Sequence, residues 1–215
     1  MKIRAVNGPG AASLPAALPL WLLCALCVAI EALLTAADHG LIGSARWRPM
    51  AYQYGGFWSG LIRGGWQPNF AAQPVTMFAT YALLHAGPGH LLGNVVTLRL
   101  LMPEIALRFG RRAILTLWAL SQLGGGLGFA ALNRGAAPMV GASGIVFGFL
   151  AALVAARLAG RPGRQWLRGL AGAAAGFVAL NAAMWLLLGG RIAWETHLGG
   201  ALAGLAAGWL MARRG

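Results

Sequence analysis

The stretch VGASGIVFGFLAALVAARL, residues 140–158, carries one charge in 19 positions, Arg157 near its end. A helix on the surface of a soluble protein keeps a polar face, and this run has none. Roughly 20 apolar residues cross the hydrocarbon core of a bilayer as a helix, so the run predicts a membrane span. Working outward, five further apolar runs are found at Leu18–Ala37, His85–Pro103, Ala113–Leu132, Gly169–Leu188 and Trp194–Met211. The His85 run is the most polar, since it holds His90, Asn94 and Arg99. Polar groups within a span face the bundle interior and mark function. The expectation is an all-α membrane protein of six transmembrane helices.

Composition agrees. Of 215 residues, 59% are hydrophobic and only 10% charged, against about 25% charged in soluble domains. The 33 glycines suit close helix packing in lipid. The net charge of +13 follows topology rather than a nucleic-acid partner. With the N-terminus inside, Lys2, Arg4, Arg108, Arg111, Arg112, Arg157, Arg161, Arg164, Arg168, Arg213 and Arg214 fall on the inner side. Arg46, Arg48, Arg63, Arg134 and Arg191 fall outside, and Arg99 within a span. Lys and Arg gather in cytoplasmic loops, so both termini are expected in the cytoplasm. Residues 1–16 read as a short cytoplasmic tail and residues 17–215 as a single membrane domain. Cys24 and Cys27, in the first span, read as small buried hydrophobes.

One connection is long. Residues 38–84 contain Trp47, Tyr52, Tyr54, Phe57, Trp58, Trp66 and Phe70. Trp and Tyr favour the headgroup region, which predicts a structured outer loop with short amphipathic helices. The Arg-rich stretch 157–168, with Pro162 and Gly163, reads as a cytoplasmic turn.

Spans two, four and six all begin on the outer side in this topology. His85 and His90 open the second, Gly141-Ala142-Ser143-Gly144 the fourth, and His197 the sixth. Ser143, read as about three residues into its helix, lies some 5 Å along the axis at 1.5 Å per residue. His197 reaches a similar depth. A serine hydroxyl needs an adjacent base to act as a nucleophile, and histidine is the usual one. His90 and Asn94, four residues apart, share a helical face and carry N–H donors suited to an oxyanion, together with the Ser143 amide. Gly141 and Gly144 flank the serine. Gly200, Gly204 and Gly208 follow His197 at four-residue intervals, a small-residue face able to press against the fourth span. Glu195 is two residues from His197 and points elsewhere, so a surface role is expected. Glu31 and Asn181 receive no catalytic role.

Taken in order, His85-x4-His90-x3-Asn94, Gly141-Ala142-Ser143-Gly144 and His197-x2-Gly200-x3-Gly204 resemble the three signatures of the rhomboid intramembrane proteases. The likeness runs from about Asp38 to the C-terminus. It implies a rhomboid-like six-helix bundle, with Ser143 as nucleophile and His197 as general base. It also implies an oxyanion hole of His90, Asn94 and the Ser143 amide, and a water-filled cavity open to the outer face. His85 would help line that cavity. The implied substrates are membrane-anchored proteins cut in or near their transmembrane segments, with no metal or cofactor. The Ala- and Arg-rich, Lys-poor composition suggests a GC-rich bacterium, so the expected location is a bacterial inner membrane. Where the family often has a tyrosine one turn after the nucleophile, this chain has Phe147, which keeps the ring to pack on His197. The family's Trp-Arg pair before the second span is absent at Thr76-Met77, and Trp47-Arg48 lies farther upstream. Two rivals of other classes are a non-cutting rhomboid-like protein that binds membrane clients and a small channel or transporter. The retained Ser143 and His197 argue against the first. The lack of polar groups beyond Arg99 in the inner half argues against the second.

Overall fold

The computed structural model describes residues 14–213, with side chains from residue 20 onward. Most of the expected tail lies outside the described residues, and its last three positions already belong to a helix. Among the described residues the order is α1 (Leu14–Asp38), α2 (Trp47–Gly55), α3 (Ser59–Arg63), α4 (Gln73–Thr80), a 3-10 turn (Tyr81–Leu83), α5 (Pro88–Phe109), α6 (Arg112–Leu132), α7 (Ser143–Leu158), α8 (Gly163–Leu187) and α9 (Trp194–Ala212). Four helices, α1, α5, α6 and α8, are long and apolar enough to cross a membrane. Helix α7 is apolar but only 16 residues long, and α9 has 19 residues. The chain is an all-α, multi-spanning membrane bundle.

Five boundaries depart from the sequence reading by three residues or more, among them the starts of α1, at Leu14 and not Leu18, and of α5, at Pro88 and not His85. Helix α5 does not stop at Pro103 but runs on to Phe109, where Gly110 at φ 82° ends it. Helix α8 starts at Gly163, not Gly169, because Pro162 sits extended at its N-cap. Most of the Arg-rich turn is therefore helix. Helix α7 starts at Ser143, not Val140. Met139 pairs with Phe57 through two backbone hydrogen bonds of 2.9 Å, which keeps the chain extended on its way to Gly141.

Helix α9 lies between α6 and α7 and is the most extensively packed element. Its glycines make this possible. A Cβ on Gly200 would lie 2.7 Å from the carbonyl carbon of Gly144, and one on Gly208 would lie 2.6 Å from Ala152 Cα. Carbon pairs rest at about 3.5–4.0 Å, so only glycine allows this seam. Helix α8 is the opposite case. Asn181 is its one buried residue, and its other described side chains are half-buried or exposed.

Residues 38–84 fold onto the Ser143 end of the bundle. Arg48 holds them there, donating to both Glu31 carboxylate oxygens at 2.8 and 3.0 Å, to Asp38 at 2.6 Å and to the His85 carbonyl at 3.0 Å. The Glu31 hydrogen bonds lead in raising the guanidinium pKa above its ordinary value, so Arg48 stays cationic. The Tyr52 hydroxyl donates to the same His85 carbonyl at 2.7 Å. Gln122 of α6 donates to the Phe78 and Ala79 carbonyls at 2.8 and 2.9 Å. Tyr81, fully buried, donates to the Gln122 carbonyl at 2.7 Å.

Candidate active site

Ser143 is the first residue of α7, not three residues in as the sequence suggested. The helix begins here because Gly141 adopts φ 117°, a left-handed conformation that favours glycine. The Gly141 N–H donates to the Tyr81 carbonyl at 2.9 Å, tying this approach to the segment that precedes α5. At the first position of a helix the early N–H groups lack intrahelical partners, and the helix dipole favours negative charge there.

His197 lies in the first turn of α9 and is 1% exposed. Its Nε2 is 2.8 Å from Ser143 Oγ, although 54 residues separate the two. Phe147 stacks on the imidazole, with ring centroids 4.3 Å apart and planes 23° apart. The far nitrogen, Nδ1, is 2.6 Å from Asn181 Oδ1 of α8. Sequence reasoning left Asn181 without a role. The signal available was an isolated amide in an otherwise apolar span.

His90 and Asn94 rise from the first two turns of α5. The Ala86 N–H donates to His90 Nδ1 at 3.2 Å, so in neutral imidazole the proton sits on Nε2. A Cβ at Gly141 would lie 2.9 Å from that Nε2 and 3.5 Å from Asn94 Nδ2. Both donors thus converge on the glycine two residues before Ser143. Asn94 Nδ2 is buried without a hydrogen-bond partner among the described residues, as are both ring nitrogens of His85. The His85 and His90 rings meet edge to face at 5.2 Å. Gly144 and Gly200 form the α7–α9 contact beside the serine, and Gly204 continues it against Gly148.

Glu195 corrects its expected surface role. It is 7% exposed and accepts a 3.1 Å hydrogen bond from Asn133 at the end of α6. It does point away from His197, as the two-residue spacing requires. An apolar cleft of about 770 Å³ runs between α7, α8 and α9, with Phe147, Asn181, Trp185, Trp194 and Leu198 among its lining residues.

These features define a polytopic membrane bundle with one polar constellation at the ends of three helices. Residues 72–214 match the Rhomboid domain family, and the chain belongs to that family. It is also similar to a protein of Mycobacterium tuberculosis and one of Mycobacterium bovis, each described only as an uncharacterized protein. Each is 35% identical over 134 residues, covering 60% of this chain and 56% of the relative. The chain thus spans about half the length of these curated relatives, which are bacterial.

Proposed function

We propose that this chain is an intramembrane serine endopeptidase that hydrolyses peptide bonds in or near the transmembrane segments of membrane-anchored proteins. The observation that carries the reading is the 2.8 Å contact between Ser143 Oγ and His197 Nε2, across α7 and α9. In this mechanism His197 Nε2 takes the hydroxyl proton as Oγ attacks the scissile carbonyl carbon. The tetrahedral oxyanion is held by His90 Nε2–H, the Asn94 amide and the N–H of Ser143 at the α7 N-terminus. The imidazolium returns its proton to the leaving amine, the C–N bond breaks, and an acyl ester remains on Ser143. Water, deprotonated by His197, then releases the acid and regenerates the hydroxyl.

The family suits this assignment, and so does the apolar cleft beside Phe147, which accommodates an apolar chain segment. The proposed arrangement is a single membrane domain over residues 17–215, with α1 and α5 to α9 as six spans. Both termini lie in the cytoplasm and the site opens to the outer face of a bacterial inner membrane. The excess of Arg at the opposite helix ends supports that orientation. In this reading His85 would help line the water-filled entrance beside His90.

The test uses purified protein in detergent and a fluorophosphonate probe, comparing wild type with Ser143→Ala and His197→Ala. Labelling of wild type alone is expected. A folded wild type that resists the probe, in detergent and again in lipid, would favour the alternative of a non-cutting protein that binds membrane clients.

A further inference from the structure

The geometry points to Asn181 as a positioning residue that sets the tautomer of His197, making the site a three-residue hydrogen-bonded chain across α7, α9 and α8. This rests on the proposed Ser143–His197 chemistry. Helix α8 buries a single polar amide. Of its described side chains only Asn181 is buried, and it lies on an apolar cleft. An amide in such surroundings is costly unless both its ends are bonded.

Both ends are bonded, and they are not interchangeable. Asn181 Nδ2 donates to the Phe177 carbonyl one turn earlier, at 2.9 Å. Flipping the amide would set two oxygens 2.9 Å apart, so Nδ2 stays on Phe177 and Oδ1 stays on His197. Oδ1 can only accept, and it sits 2.6 Å from His197 Nδ1. The proton of neutral imidazole therefore belongs on Nδ1, which leaves Nε2 with its lone pair toward Ser143 Oγ at 2.8 Å. In the other tautomer Nε2 carries the proton and cannot serve as base. Asn181 also accepts from Nδ1–H when the ring becomes imidazolium, and a hydrogen bond to a charged group is stronger than a neutral one. Phe147 covers one face of the ring, which leaves the in-plane Nδ1 contact to fix rotation about the ring's attachment.

The experiment compares wild type with Asn181→Leu and Asn181→Asp. Leu keeps the volume and removes the acceptor. A neutral carboxyl at 181 repeats both bonds, its O–H to Phe177 and its C=O from His197. Fluorophosphonate labelling rates are measured against probe concentration, alongside thermal unfolding midpoints. For Asn181→Leu the limiting rate should fall about 10- to 100-fold, the loss of one hydrogen bond to a charged group. The half-saturating probe concentration should stay the same. Asn181→Asp should restore most of the rate. Independently of activity, ¹⁵N spectra of histidine-labelled protein, assigned by difference from His197→Ala, should show His197 protonated at Nδ1 in wild type and mixed in Asn181→Leu.

A folded Asn181→Leu that labels at the wild-type limiting rate overturns the assignment. So does a folded Asn181→Asp as slow as Leu, or a wild-type His197 protonated at Nε2. Should Asn181→Leu not fold, the Asp variant and the wild-type spectrum still decide. Wild type that never labels, but holds the Nδ1 proton, sinks the protease reading and leaves the tautomer assignment intact.

Discussion

Replacing Gly200 by alanine tests whether the α7–α9 seam sets the distance between Ser143 and His197. The added Cβ would sit 2.7 Å from the Gly144 carbonyl carbon and 3.0 Å from Gly144 Cα. Relaxed carbon contacts need about 3.5–4.0 Å, so α9 must withdraw by roughly 1 Å. The Gly144 carbonyl oxygen lies closer still, and all three obstructing atoms are backbone, so no side chain can rotate away. Gly200 follows His197 by three residues and Gly144 follows Ser143 by one, so the wedge enters beside the Ser143–His197 contact. A 1 Å withdrawal takes the 2.8 Å contact to nearly 4 Å, beyond hydrogen-bond range. Misplacement of this size costs about 100-fold in rate, and overpacking costs about 1–3 kcal/mol in stability. The assay is the fluorophosphonate labelling rate, with unfolding in detergent measured in parallel. Gly172→Ala in α8, where a Cβ meets nothing within 4 Å, is the control and should label at the wild-type rate. A Gly200→Ala protein that labels as fast as wild type would refute the reasoning.

Arg48→Met removes the cation from Glu31, a carboxylate only 2% exposed. Breaking a buried pair costs about 3 kcal/mol, so the unfolding midpoint should drop, and Glu31→Gln in the same chain should recover part of the loss. Phe147→Leu removes the ring stacked on His197; aromatic pairing is worth up to about 1.5 kcal/mol, so labelling should slow by up to about tenfold and the unfolding midpoint should fall modestly. Asn94→Leu should slow labelling by about 100-fold or more while holding or raising the unfolding midpoint, because the amide it removes is buried with an unpartnered nitrogen. A matching fall in that midpoint would argue for a structural role instead.

Much of the bundle can be read from hydropathy, and the ends of its helices cannot. Val140 and Ala142 are as apolar as the helix they precede, so no pattern separates them from it. What stops the helix at Ser143 is the pairing of Met139 with Phe57, 82 residues away, and the turn at Gly141. Pro103 looks like a terminus, yet the helix passes through it, and Gly110 ends it instead. The four-residue spacing of Gly200, Gly204 and Gly208 is a local packing signal, and α9 does meet α7 along it. The shared depth of Ser143 and His197 follows from alternating spans, which needs no tertiary knowledge. Asn181 differs, because its meaning depends on the rotation of α8 about its own axis, and an almost uniformly apolar helix does not encode that rotation. Arg48 was equally opaque, since its partners come from α1 and from the segment before α5.

The buried polar groups divide into those that are paired and a few left without a partner. Burying an unpaired polar group in a membrane protein costs several kcal/mol, so a chain that has so few has reason to pair each one. Arg48, Glu31 and Tyr52 do so, and Gln122 binds two carbonyls through its nitrogen and the Trp118 indole N–H through its oxygen. These groups fasten the 38–84 connection to the bundle, where pairing is the whole of their task. The buried side-chain atoms left without a partner among the described residues belong to His85, Asn94, Ser121 and Thr196. Asn94 turns its free nitrogen toward Gly141, and Thr196 directly precedes His197. A fold that spends three hydrogen bonds on Gln122 yet leaves the Asn94 amide unspent is not short of acceptors. Under the proposed hydrolysis, such a donor would meet an oxygen that arrives only during reaction, which is how an oxyanion site would differ from a structural one.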